Sequence, residues 1–164
     1  MRHIISLLLE NEAGSLSRVS GLFSARAFNI ESLSVAPTED PTMSRLTLVT
    51  NGSDAIVEQI TKQLNKLVDV IKVIDLNDYD HIERELMLAK VVAKKDSDHD
   101  VIKRVVETFQ GRMIDVNENL YTIEITDTSK KIDAFLTALD NDFILEVVRT
   151  GASAILLGDR TIQS

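Results

Sequence analysis

The apolar run from Arg2 to Leu9 has strand character, and Leu16, Val19, Leu22 and Phe23 then recur at helical spacing as far as Ala27. The hydrophobic period changes from two to about 3.6 and back, because Ile30 to Val35 and Met43 to Thr50 again read as strands. Pro37 and Pro41 lie between those strands, and their lack of an N–H confines the connection to a hairpin turn. Asn51-Gly52-Ser53 signals a further turn. Ile56, Ile60, Leu64 and Leu67 then mark one helical stripe, and Val70, Ile71, Val73 and Ile74 a last strand. The predicted order is βαββαβ.

The second half repeats this order with little identity. Glu85 to Ala93 reads as a strand, Val101, Ile102, Val105 and Phe109 as a helix face, and Gly111 as its left-handed stop. Arg112 to Val116 and Leu120 to Ile125 form a hairpin around Asn117-Glu118-Asn119. A helix over Ser129 to Leu139 turns Ile132, Phe135, Leu136 and Leu139 inward, and Phe143 to Arg149 closes the unit. The polar, acidic stretch around Tyr79 reads as the joint, so the expected division is a domain at 1–77, a linker at 78–82 and a domain at 83–164. Ile155 to Leu157 in the tail from Gly151 to Ser164 need cover that the pattern alone does not assign. The economical fold is α+β: two tandem ferredoxin-like βαββαβ domains, each an antiparallel sheet with its helices on one face, so that every helix stripe is buried against a sheet. Free edge strands are a liability. Pairing them with a second copy of the chain removes it, so a homodimer is expected.

The 164 residues are 44% hydrophobic with few aromatics, enough for cores of Leu, Ile and Val. No apolar run approaches the ~20 residues of a membrane span, and the strand pattern begins at once after Met1; a cytoplasmic location is the expectation. Cysteine is absent, which excludes disulfides, thiolate metal sites and cysteine nucleophiles. The net charge of −8 is spread evenly, with 7 basic and 11 acidic side chains in residues 1–80 and 11 and 15 in the remainder. Without a basic stripe, the electrostatic attraction that nucleic-acid binding needs is missing.

Catalytic and metal chemistry find little support. His3, His81 and His99 lie in three different elements without zinc-binding or triad spacing. Asp96, Asp98 and Asp100 alternate like the start of a calcium loop, with Glu107 at its twelfth position, but Val101 stands where that loop needs glycine. Acidic caps for the following helix are the simpler reading. No phosphate-cradling glycine motif occurs. The chain by itself does not read as an enzyme.

The turn Asn11-Glu12-Ala13-Gly14-Ser15-Leu16 is different. Gly14 permits a backbone conformation or close approach denied to other residues. Ser15 opens a helix whose first N–H groups lack intrahelical partners, a site of the right size for one carboxylate. Asn11 adds an amide suited to the ammonium or carboxylate of an amino acid. A simple capped turn accounts for the same residues, and the turn alone leaves both readings open.

The segment LLLENEAGSLSRVSGLFSARAFNIESLSVAPTEDPTMSRLTL, Leu7 to Leu48, resembles the amino-terminal ACT domain of the small, regulatory subunit of bacterial acetolactate synthase; NIESLSVAPTEDP, Asn29 to Pro41, is its most specific string. KLVDVIKVIDL at Lys66 to Leu76 and QGRMIDVNENLYTIEITDT at Gln110 to Thr128 extend the resemblance over nearly the whole chain. It implies an amino-terminal domain for valine sensing and dimerisation and a carboxy-terminal ACT-like domain. It also implies a role as regulatory subunit in branched-chain amino acid biosynthesis, binding and activating a catalytic subunit and conferring feedback inhibition by valine. Thiamine diphosphate, magnesium and FAD are then expected on the catalytic partner, with no cofactor in this chain. The family's valine-binding positions correspond to Asn11, Ala13, Gly14, Ser15, Leu16, Asn29 and Ile30. A helix from Ser15 to about Ala27 separates its ends by roughly 18 Å, more than one valine spans. If both groups share a site, they come from different protomers. The competing readings are a free-standing amino-acid-binding ACT regulator of another protein and a small enzyme on a ferredoxin-like scaffold.

Overall fold

The computed structural model describes residues 1–163. The first apolar run forms β1 (Arg2–Glu10), and the helical stripe after it forms α1 (Ser15–Ala25). β2 (Ile30–Pro37) and β3 (Met43–Asn51) make the hairpin, followed by α2 (Asp54–Asn65) and β4 (Val70–Asp75). The second series is β5 (His81–Val92), α3 (Asp96–Thr108), β6 (Arg112–Asn117), β7 (Leu120–Asp127), α4 (Ser129–Ala138) and β8 (Ile144–Arg149), and the tail adds β9 (Ser153–Leu156). The first sheet has the order β2-β3-β1-β4 and the second contains β6-β7-β5-β8, the same arrangement of corresponding strands, antiparallel throughout. The chain therefore repeats one ferredoxin-like architecture.

In the first unit Ile5, Leu7 and Leu9 of β1 and Leu46 and Leu48 of β3 pack under α1 and α2 against Val19, Phe23, Ile60 and Leu64. In the second, Met87, Ala89 and Val91 of β5 do the same with Ile102, Ile132 and Phe135. Ser53 caps α2 by accepting the Ile56 amide at 3.3 Å, and Thr128 caps α4 through the Lys131 amide. Asp98 accepts the amides of Lys94 and Lys95 at 2.9 and 2.8 Å, so this member of the Asp96, Asp98, Asp100 alternation serves the start of α3.

Three features depart from the sequence-based expectation. The tail does not complete the second unit: compact packing joins residues 1–82 with 152–163 and leaves 83–151 as the other unit. Its physical reason is a second apolar layer, in which Ala152 and Leu156 pack with Ile4, Val49 and Leu76 on the face of the first sheet opposite the helices. The expected linker is also largely structured, because Leu76 opens a short 3-10 turn and is fully buried, and β5 already begins at His81. Finally, the left-handed residue ending α3 is Gln110 (φ 56°), not Gly111. Gly111 answers a close approach: a Cβ there would lie 3.1 Å from Cγ1 of Ile125 and 3.3 Å from Cγ1 of Val106.

Candidate functional site

β1 ends at Glu10, and the chain must reverse within four residues to start α1 over the sheet. Gly14 makes that possible by taking φ 88°, ψ −9° as the residue preceding the helix. That backbone is left-handed, where a side chain is strained. The Ser15 amide donates to the Glu12 carbonyl at 3.2 Å and the Arg18 amide to the Gly14 carbonyl at 2.9 Å. The amides of Leu16 and Ser17 remain as the unpaired donors of the first turn. The Ser15 hydroxyl is buried without a hydrogen-bond partner, and Leu16 is 42% exposed.

Asn11 is fixed against the β2–β3 hairpin turn: its backbone amide donates to the Thr42 carbonyl at 2.7 Å and its side-chain Nδ2 to the Pro41 carbonyl at 3.0 Å. Asp40 holds the turn by accepting the Thr42 hydroxyl at 2.7 Å and the Thr42 amide at 2.9 Å, and those two bonds keep its carboxyl below the usual range.

Arg18, one helical turn after Gly14, is the site residue the sequence reading missed. Its Nη1 lies 2.9 Å from where a Cβ on Gly14 would be, its Nε donates to the buried carboxylate of Asp69, and its Nη2 reaches the Ala13 carbonyl at 3.5 Å. The bond to Asp69 raises the already high pKa of the guanidinium. Gly14 and Arg18 are four residues apart, a spacing that places them on one helix face; nothing in the sequence pointed to Asp69. Glu10, Glu12 and Asp69 bring one carboxylate oxygen each within 4.8 Å of one another, the one such acidic group among the described residues. Arg18 already occupies its buried member.

Asn11, Ala13, Gly14, Ser15 and Leu16 thus share one turn. Asn29 and Ile30 do not join them. They follow Ala27, whose φ of 56° ends the α1 turn, and the Asn29 carbonyl accepts the Thr50 hydroxyl at the opposite end of the β1–β3 ladder. Asn11 sits at the Glu10–Met43 end of that ladder and Asn29 beside Thr50, seven residues along β3 from Met43. At ~3.4 Å per residue the separation is roughly 24 Å, longer than the helix estimate and far beyond one amino acid.

Two antiparallel sheets of ferredoxin-like order, the first with a helix opened by a left-handed glycine, place the chain in the ACT class of folds. The comparisons narrow the class. Residues 5–72 match the AHAS small subunit-like ACT domain family, and residues 84–158 match the family described as small subunit of acetolactate synthase. The acetolactate synthase small subunit of Haemophilus influenzae is 53% identical over 99% of both chains. The acetolactate synthase isozyme 3 small subunit of Escherichia coli is 51% identical over 99% of this chain and 100% of its own. The crystal structure of the small subunit from Thermotoga maritima superimposes with a TM-score of 0.87 at 37% identity, covering 98% of this chain and 99% of that one. The chain belongs to the family of acetolactate synthase small subunits. No helix among the described residues is long and apolar enough to cross a membrane.

Proposed function

We propose that this chain is a regulatory subunit that binds and activates the catalytic subunit of acetolactate synthase and makes it sensitive to valine. Its relatives carry the small-subunit name. In this reading the condensation chemistry, with thiamine diphosphate, magnesium and FAD, resides on the catalytic partner.

The observation that carries the valine site is the position of β2 at the edge of its sheet. Its first residue, Ile30, pairs with Thr50, and its last, Pro37, pairs with Ser44 near the Asn11 turn. Antiparallel pairing of two β2 edges about a two-fold axis carries the partner's Ile30 end toward the Pro37 end, and so toward the Asn11–Leu16 turn. The two halves of the site, separated within one chain, then meet across the dimer. Pro37 at the strand end leaves the earlier N–H groups of β2 free to pair. The valine carboxylate is received by the Leu16 and Ser17 amides with Arg18 nearby, Asn11 and Asn29 hold the ammonium, and Ile30 and Leu16 contact the side chain. Ala13 and Gly14 shape the turn, and Ser15 starts the helix.

Calorimetric titration of the purified chain with valine tests this. Binding heat at one valine per protomer, lost in Asn29→Ala, is expected. A folded dimer that gives neither binding heat nor thermal stabilisation with valine would falsify the site.

A further inference from the structure

Arg45 of β3 lies on the face of the first sheet opposite the helices. Its Nε donates to the Ser6 hydroxyl at 2.7 Å and its Nη2 to the Ala154 carbonyl at 3.2 Å. Both acceptors are neutral. A guanidinium has five N–H donors, so three remain. Half-burial pulls its pKa down, and no acidic side chain offsets that pull. An arginine clamped by two neutral acceptors and left without a counter-charge is prepared for an anion from outside.

Arg45 is also part of the wall of a cavity of about 470 Å³ between β1, the β2–β3 turn and the tail. That volume is in the range of small-molecule sites, about 300–1,000 Å³. Met43, Leu8, Ile155 and Leu156 give it apolar walls. Arg160, stacked 4.9 Å from the centre of the Tyr79 ring, adds a second cation, and Glu39 is the one acidic side chain among the described residues that line it. One anchored cation facing apolar walls calls for a ligand with one anionic end and a short hydrocarbon body.

We propose that this cavity binds a small carboxylic acid, with its carboxylate on Arg45 and its apolar body against Met43, Ile155 and Leu156. The site shares no residue with the turn assigned to valine and does not depend on that assignment.

The test is methyl NMR on the full chain labelled at methionine and isoleucine, titrated with butyrate, with 1-butanol as its neutral counterpart, and with inorganic phosphate. Butyrate should shift the Met43 and Ile155 methyl signals saturably in the millimolar range. Loss of the charged hydrogen bonds should make 1-butanol about tenfold weaker or more. Phosphate, which cannot use the apolar walls, should not saturate the Ile155 shift. Arg45→Met should lose butyrate binding, whereas Glu39→Gln, which removes a like charge, should hold or tighten it. The proposal is overturned by any one of several results: no saturable shift through about 50 mM butyrate, shifts confined to Ile30, equal binding of the alcohol, phosphate as tight as butyrate, or a folded Arg45→Met of undiminished affinity. If Arg45→Met does not fold, the acid–alcohol comparison on the unaltered chain and Glu39→Gln decide, and weaker binding by Glu39→Gln also overturns it.

Discussion

Gly14→Ala tests how the turn before α1 is built. An alanine at φ 88° pays a backbone cost of about 1–2 kcal/mol. Its Cβ would also fall 2.9 Å from Nη1 of Arg18, closer than atoms can rest, so the end of the Arg18 side chain must move. The Arg18 side chain is 47% exposed and free to do so, and where that movement carries its Nε off Asp69, whose side chain is only 5% exposed, the carboxylate loses its partner. A buried acceptor left unpaired costs about 1–3 kcal/mol. Gly14→Ala should therefore lower stability by about 2–5 kcal/mol in the native background and by only the backbone share where Asp69→Leu has already removed the buried acceptor. Urea unfolding of the two single variants, the double variant and the native chain measures the difference. Equal costs in both backgrounds, within ~0.5 kcal/mol, would refute the linkage and leave φ as the whole reason for Gly14.

Burial pushes the Glu85 carboxyl up, but hydrogen bonds from Arg149, Ser129 and the Gly151 amide, with the Arg149 charge, outweigh it and hold the group below its ordinary value of 4.5. A depressed folded value means that this contribution is complete above the ordinary value and is lost as pH falls through the folded one. Arg149→Met should flatten that acid limb of the stability curve, as read by thermal melts between about pH 6 and pH 3; an unchanged limb would exclude the pair as its source. Gly111→Ala should cost about 1–3 kcal/mol by crowding Ile125 and Val106, and a neutral or stabilising result by urea unfolding would show that both side chains can give way. Leu156→Ala, at a position 7% exposed against the first sheet, should cost about 2–5 kcal/mol and expose the β1 amides to faster hydrogen exchange; unaltered exchange in β1 would contradict the packing of the tail.

The repeated βαββαβ order was legible because each unit buries one helix stripe on one sheet face, a pattern that periodicity reports directly. The tail was harder to place, although β1 held a clue. Ile4, Ile5, Leu7, Leu8 and Leu9 run apolar without alternation, the mark of a strand covered on both faces, and in the structure residues 3–9 are all buried. Gly111 misled because glycine at a helix end suggests a left-handed stop, while the structure puts that conformation on Gln110 and uses Gly111 for space. At the turn, Asn11, Gly14 and the helix start were readable from local chemistry. Arg18 was missed because its importance comes from Asp69, fifty-one residues away. No local pattern encodes that contact.

A mixed dimer shows whether the two halves of the valine site come from different protomers. One protomer carries Gly14→Asp and its partner Asn29→Ala, and valine stoichiometry is measured by calorimetry on the purified heterodimer. If each site combines the turn of one protomer with Asn29 of the other, both substitutions fall on the same site and the second site stays whole. Half the native stoichiometry at undiminished affinity is the expected result; complete loss of valine binding would mean that each protomer carries its own site and would overturn the shared one.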